Sequence, residues 1–312
     1  MPNNILRRER LVDPVLTNIM LGYKQASLIA DFISPVISVT QVDGSVVQFG
    51  DEVYKNYNTK RAVGADSNVV QPTSPSLIPY HLDEDEFSFP IDDQMREAAL
   101  FDLQMRGATF TMGVLSSRLE KEVAALAQNP NNYPTGHKVV CTTNGAGNTP
   151  YCWSDRVNSN PLIDVENGKQ VIEMATGFSP NVLVLGNATY HTLRHHPQLL
   201  EETKHTTTGG VTIELIKLLF DIPQVHIGKA IKATDKSVKS YIWSDVAILA
   251  YVPGGPALYE PSFMYSYRME EFPVGDIWYH PNGKIDYIRA TDKSQPFIVS
   301  PSAGYLISNT VA

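Results

Sequence analysis

Residues 92–129 read DDQMREAALFDLQMRGATFTMGVLSSRLEKEVAALAQN, and their spacing decides the fold. Apolar side chains recur at Met95, Ala98, Phe101, Met105, Ala108, Met112, Leu115, Leu119, Val123 and Leu126, always three or four residues apart, as one face of a helix requires. The spacing predicts a single helix, capped by Asp92 or Asp93 and stopped at Asn129-Pro130. Its length would be roughly 55 Å, against a radius of gyration of ~20 Å for a compact chain of this size, so an elongated or flat molecule is expected. Gly107 and Gly113 lie inside it, each costing about 1 kcal/mol relative to alanine. They are candidate hinge positions; close packing against a crossing strand would explain them equally well.

Upstream, Ser45 to Tyr54 and Leu77 to Pro90 read as strands, separated by KNYNTKRAVGADSNVVQPTSP at positions 55–75. Connections inside a compact domain usually run about four to six residues, so this one is either a long hairpin reaching onto a neighbour or a surface loop. The hairpin carries charge of both signs. Asp83, Glu84, Asp85 and Glu86 lie on the returning arm, while Lys55, Lys60 and Arg61 lie near the other arm or the tip. Such charges could pair between adjacent copies and set register, or could simply keep a strand edge soluble. Residues 1–38, with Pro14 and Pro35 between short amphipathic patches, suit an arm lying on another surface.

Downstream, Pro161 to Gly228 alternates short helical patterns with the apolar runs NVLVLG and QVHIG, which reads as a small α/β domain. SDVAILAYVP, PSFMYSYRMEE and KIDYIRATDKSQPFIVSPSAGYLISNTVA then read as strands returning to pair with earlier β segments, so the subdomains should interleave.

The 312 residues are 43% hydrophobic, enough for a sizeable core. Twenty-five Lys and Arg against 33 Asp and Glu leave a net charge of −8, which opposes general attraction to nucleic acid or an anionic membrane. The longest apolar run, Val246 to Val252, is too short to span a membrane, and the N-terminus has no secretory apolar core. Cys141 and Cys152 flank a possible hairpin around Ala146-Gly147; a bridge is geometrically possible there, but a pair of free thiols is the expectation in a reducing compartment.

Motifs for chemistry are incomplete. His191 and His195 share a helical face, but Thr192 stands where a zincin needs glutamate, and His196 precedes Pro197. Gly186 is a lone glycine where a dinucleotide fingerprint needs three, Gly209-Gly210 lacks the Walker lysine, and no G-x-S-x-G elbow occurs. No catalytic residue, metal site or cofactor is expected.

The order of arm, long hairpin, long helix, small α/β domain and returning strands resembles the major capsid proteins of tailed bacteriophages, with the Hong Kong 97 type α+β fold. FISPVISVTQVDGSVVQFGDEVYK, NVLVLGNATYHTLRHHPQLLEETK and PFIVSPSAGYLISN carry the resemblance, as the passage from arm to loop, the A-domain strand and helix, and the closing P-domain strand. It implies an N-terminal arm over 1–38, an extended E-loop hairpin over 39–90, a P-domain with its spine helix over 91–160 and 260–312, and an A-domain over 161–259. It further implies a structural protein that forms pentamers and hexamers of an icosahedral virion shell around double-stranded DNA, held without sequence-specific binding and without a membrane, and assembled in the bacterial cytoplasm. Scaffolding, portal or decoration proteins would be its partners. Some relatives join a loop lysine to a neighbour's asparagine, but no local pattern selects Lys55, Lys60 or Asn309, and no crosslink is expected. The same fold class builds encapsulin compartments holding cargo enzymes. From another class, an α/β hydrolase or metalloenzyme using the His191 region would predict bound metal and a monomer or small oligomer.

Overall fold

The computed structural model describes residues 13–22, 27–48, 60, 76–145, 149–202, 211–233, 238–255 and 262–312. Two helices, α1 (Pro14–Gly22) and α2 (Ala30–Ile33), precede β1 (Val36–Val39). The arms β2 (Asp43–Gln48) and β3 (Ser76–His81) pair antiparallel from Asp43↔His81 to Gln48↔Ser76, and β4 (Asp85–Asp92) follows. The strand expected over Leu77 to Pro90 is thus two strands in separate sheets, interrupted at Leu82–Glu84 where Leu82 turns into an apolar cluster.

The long periodic segment forms α3 (Asp93–Ala98) and α4 (Leu103–Ala127), not one helix. The reason is a second cap. The Asp102 carboxylate accepts from the Gln104 and Met105 backbone N–H groups, and that extended residue starts a new helix just as Asp92 starts the first through Gln94. The 25 residues of α4 span roughly 37 Å, about two-thirds of the expected length.

After α4 come β5 (Lys138–Val140), α5 (Pro161–Thr176), β6 (Val182–Gly186), α6 (Asn187–Arg194), α7 (Pro197–Glu202), α8 (Ile213–Phe220) and β7 (Gln224–Gly228). A small hairpin of β8 (Ile231–Ala233) and β9 (Lys239–Tyr241) leads to β10 (Val246–Ala250), β11 (Met264–Met269), β12 (Val274–His280), β13 (Ile285–Asp292), β14 (Ser294–Ile298) and β15 (Gly304–Ser308).

The five-stranded sheet runs β5-β15-β10-β6-β7, with β10 antiparallel to both β15 and β6. Its central strands are apolar on both sides because both faces are covered. Val182, Val184, Ile248 and Leu306 meet Leu119, Val123 and Ala127 of α4, while Leu183, Leu185, Leu249 and Ile307 meet Val165 and Ile172 of α5 and Ile216 of α8. A second sheet, β12-β13-β4, takes the front half of α4 through Ala108, Met112 and Leu115, with Leu16 and Met20 of α1. The third, β1-β11-β14, holds the root of the hairpin: Leu82 is buried among Ile37, Tyr265 and Tyr267, and Tyr80 stacks on Tyr267 with ring centroids 5.4 Å apart. One helix therefore bridges two sheets, with the residues 108, 112, 115, 119 and 123 that its spacing marked as core.

The segment around the cysteines is not a hairpin. Thr142 and Tyr151 form a parallel bridge, and Gly145 has a φ of +58° that suits glycine; Ala146 and Gly147, the expected turn, lie outside the described residues. Cys141 and Cys152 are both buried and free, as expected.

Candidate assembly surfaces

At the hairpin root the acidic run finds partners within its own chain. Lys293 reaches Glu84 at 2.8 Å, Arg118 of α4 reaches Asp85 at 2.7 Å, and Arg289 of β13 reaches Glu86 at 3.5 Å. Arg118 also meets Glu122, one turn along its helix, at 3.0 Å, and donates to the Ser294 carbonyl. Arg289 makes a second, close pair with the buried Asp276. The helix α4, strand β13 and the link from β13 to β14 thus converge on residues 84–86 where β4 begins. Burial raises the Asp85 and Glu122 carboxyls above their ordinary values; Arg118 pulls both back, and Asp292 and Asp83 add to the rise at Asp85.

Asp83 stays at the surface, 3.7 Å from His81, which in turn hydrogen-bonds Asp43 across the first rung of the hairpin. The bond to Asp43 is the main reason the His81 imidazole is held above its usual pKa. Lys60 is exposed, and Lys55 and Arg61 lie outside the described residues. Among the described residues the structure therefore joins the acidic run to Arg118, Arg289 and Lys293, three cations that no spacing in the sequence connects to it. Only the Arg118/Glu122 separation of four residues was a visible hint.

Gly107 is a contact position. A Cβ there would lie 2.7 Å from Ile288 Cδ1 and 3.1 Å from Phe89 Cδ1, the crossing strands β13 and β4. Gly113 is half-buried, and α4 is unbroken through both glycines.

The apolar face of the long segment is only partly covered. Met95, Leu100, Phe101 and Met105, at its start, are 62, 101, 56 and 53% exposed, and Phe110 is 51% exposed beside Phe87. Leu100 and Phe101 sit in the break between α3 and α4, so the second cap that splits the helix also puts two large apolar side chains outside. Met95, Phe101 and Met105 follow the core-facing spacing and yet lack a core. On the far side of the same sheet Trp278, 53% exposed, stacks on Tyr287 with centroids 5.5 Å apart.

His191 lies on α6 and His195 caps its end, and no metal-holding group of three ligands occurs among the described residues. His196 is buried, and Ser159 Oγ lies 3.0 Å from its Nε2. Ser159 itself is buried and also hydrogen-bonds the Asp155 carbonyl, while the other ring nitrogen of His196, Nδ1, is buried without a hydrogen-bond partner. Burial pushes the Cys141 thiol up to about 12, far from the thiolate a nucleophile needs. No helix among the described residues is long and apolar enough to cross a membrane.

Comparison with known proteins points the same way. The chain is 37% identical over 308 residues to the curated major capsid protein of Burkholderia phage BcepMu, covering 97% of this chain and 98% of that one. It superposes on the crystal structure of a phage-related protein from Bordetella bronchiseptica with a TM-score of 0.81 at 28% identity, over 96% of this chain and 98% of the other. At the level of fold alone it is similar to the SrpI encapsulin of Synechococcus elongatus, with a TM-score of 0.51, 12% identity and 96% of each chain covered. No family model matches the sequence.

Proposed function

Because the chain belongs to the phage major capsid proteins, we propose that its structural role in the virion is to close, as pentamers and hexamers, an icosahedral shell of the Hong Kong 97 type around double-stranded DNA. In this reading residues 1–38 are the arm and 39–90 the E-loop. Residues 91–160 with 260–312 form the P-domain around α4, and 161–259 form the A-domain meeting its copies at the capsomer axis. Assembly takes place in the cytoplasm of the host.

The observation that carries this is the uncovered apolar face. Soluble monomers rarely leave large contiguous apolar patches in water, and such patches mark interaction surfaces. Met95, Leu100, Phe101, Met105 and Phe110 fit a surface that a second copy covers. The hairpin supports the reading. Among the described residues β2 and β3 pair chiefly with each other, and Leu77 and Pro79 are exposed beyond the Tyr80 anchor. A lone two-stranded hairpin is marginal in water, so a neighbouring subunit is its natural support. Interfaces of about 800 Å² per partner, repeated around every subunit, sum to a resistant shell. The net charge of −8 suits an enclosed genome that is tolerated and not gripped.

The ionic cluster at residues 84–86 fixes the direction in which the hairpin leaves the subunit. Pairing of Lys55, Lys60 or Arg61 with a neighbour's Asp83 would then set register. Shortening residues 55–75 tests the reading: the subunit keeps its circular dichroism and thermal transition, while electron microscopy finds no closed shells. Normal closure by the shortened chain would remove the hairpin from the assembly mechanism. An encapsulin-like compartment is the second reading, favoured by the SrpI likeness alone. Shells purified with cargo enzyme and without DNA would establish it.

A further inference from the structure

Glu120, on the buried face of α4, has no exposed surface. Its Oε2 accepts from the backbone N–H groups of Ile29 at 3.0 Å and Ala30 at 2.7 Å, and its Oε1 accepts from the indole N–H of Trp243 at 2.6 Å. The three donors come from two segments, 90 to 123 residues away in sequence: the start of α2, which leads through β1 to the hairpin, and the loop that leads into the central strand β10. Gln128, two turns along the same face, reinforces the second grip. Its side-chain N–H group donates to the Ile242 carbonyl, and its oxygen accepts from Ser244 N at 2.9 Å.

No cation among the described residues lies within ion-pair distance of this carboxylate. The charged side chains on the two segments it holds are Asp31 of α2 and Asp245 beyond Trp243, both acidic. The apolar cluster that holds Ile29, Ala30 and Trp243 also takes in Leu119 and Val123, the neighbours of Glu120 on α4. Burial pushes the Glu120 carboxyl above its ordinary value of 4.5, the three N–H donors pull it back, and Asp31 adds a smaller upward push. A buried, uncompensated charge costs stability that an apolar residue would not, yet here its bonds are all charge-assisted and strong. Proton uptake would put an O–H among three N–H donors and would weaken the remaining bonds to those of a neutral carboxyl.

We propose that Glu120 is a proton-responsive clamp: ionised, it holds both the Ile29–Ala30 backbone and Trp243 against α4, and on taking up a proton it loosens both while the subunit stays folded. The clamp couples the segment that carries the hairpin to the segment that carries the five-stranded sheet, so one protonation relaxes both connections. Trp243 is a built-in reporter. A Cβ on Gly228 would lie 2.4 Å from its ring, so the indole sits in a slot that glycine leaves open.

The test titrates the full-length protein from about pH 8 to about pH 5 and follows two signals: amide exchange at Ile29 and Ala30, corrected for intrinsic rates, and Trp243 emission, taken as the difference from a Trp243→Phe variant. The clamp predicts one shared step, with exchange about tenfold faster on the acid side and unchanged far-ultraviolet circular dichroism. Glu120→Gln should show the fast exchange at both ends and no step in emission. Constant protection of Ile29 and Ala30 across the titration of the unmodified protein would overturn the proposal without any variant. A Glu120→Gln protein that titrates like the parent would overturn it too.

Discussion

Arg118 on α4 and Asp85 on β4 meet at 2.7 Å, and the same guanidinium reaches Glu122 at 3.0 Å and the Ser294 carbonyl at 3.3 Å. One side chain thereby ties the strand that follows the hairpin to the long helix and to the start of β14. The pair lies at the point where α4 passes from one sheet to the other, between Leu115 and Leu119.

Replacing Arg118 with methionine keeps the aliphatic stem but leaves Asp85 and Glu122 facing each other without a cation. All three groups are partly exposed, which limits the penalty to about 1–2 kcal/mol. Urea denaturation should show that loss with an unchanged m-value. A loss below about 0.3 kcal/mol would mean that solvent already screens the cluster.

The acid side of the same cluster gives a pH dependence of definite sign. Asp85 and Glu122 both sit above the ordinary carboxylate range, chiefly because burial disfavours their charge, so the folded chain holds these protons more tightly than the unfolded chain. Through these two groups stability is fullest below the unfolded value, and it declines as pH rises through the folded one. Glu122→Gln removes its share of that decline, so the urea midpoint of the variant should fall less steeply with rising pH. A parallel pair of curves would take Glu122 out of the account.

Gly107 and Gly113 separate under one substitution. Gly107→Ala gains about 1 kcal/mol of helix propensity but drives a methyl against Ile288 and Phe89, and overpacking of this kind costs about 1–3 kcal/mol, so the melting temperature should drop. Gly113→Ala should raise it, since α4 is already regular there. A rise for both would make Gly107 a soft point of the helix and not a packing contact.

Leu100 and Phe101 test the uncovered face. Both side chains are mostly in water, so Leu100→Ser with Phe101→Ser should change subunit stability by no more than about 0.5 kcal/mol each. Sedimentation should nevertheless show the loss of large assemblies. Shells of normal yield would place the interface elsewhere.

Much of this architecture was legible in the residues. The steps from Ala108 to Val123 marked the buried face of α4, and the unbroken apolar runs at 182–185 and 246–250 marked strands covered on both sides. The break at Ala99–Asp102 was hidden because the apolar spacing continues through it, and Asp102, a strong cap, carried no sign that it would be used beside Asp92 and Asp93. The acidic run was visible as charge, but its cations lie 32 to more than 200 residues away, and only the folded sheet brings Arg289 and Lys293 to it. Glu120 read as one more polar residue in a helix. Its burial depends on two segments whose approach no local pattern encodes.

The central claim is that this chain works by assembling with itself. Negative-stain electron microscopy of the purified full-length protein, with its sedimentation profile across a range of salt, tests it most directly. Uniform hollow particles or ring-shaped capsomers are the predicted result. A stable monomer or dimer at every salt concentration would contradict it.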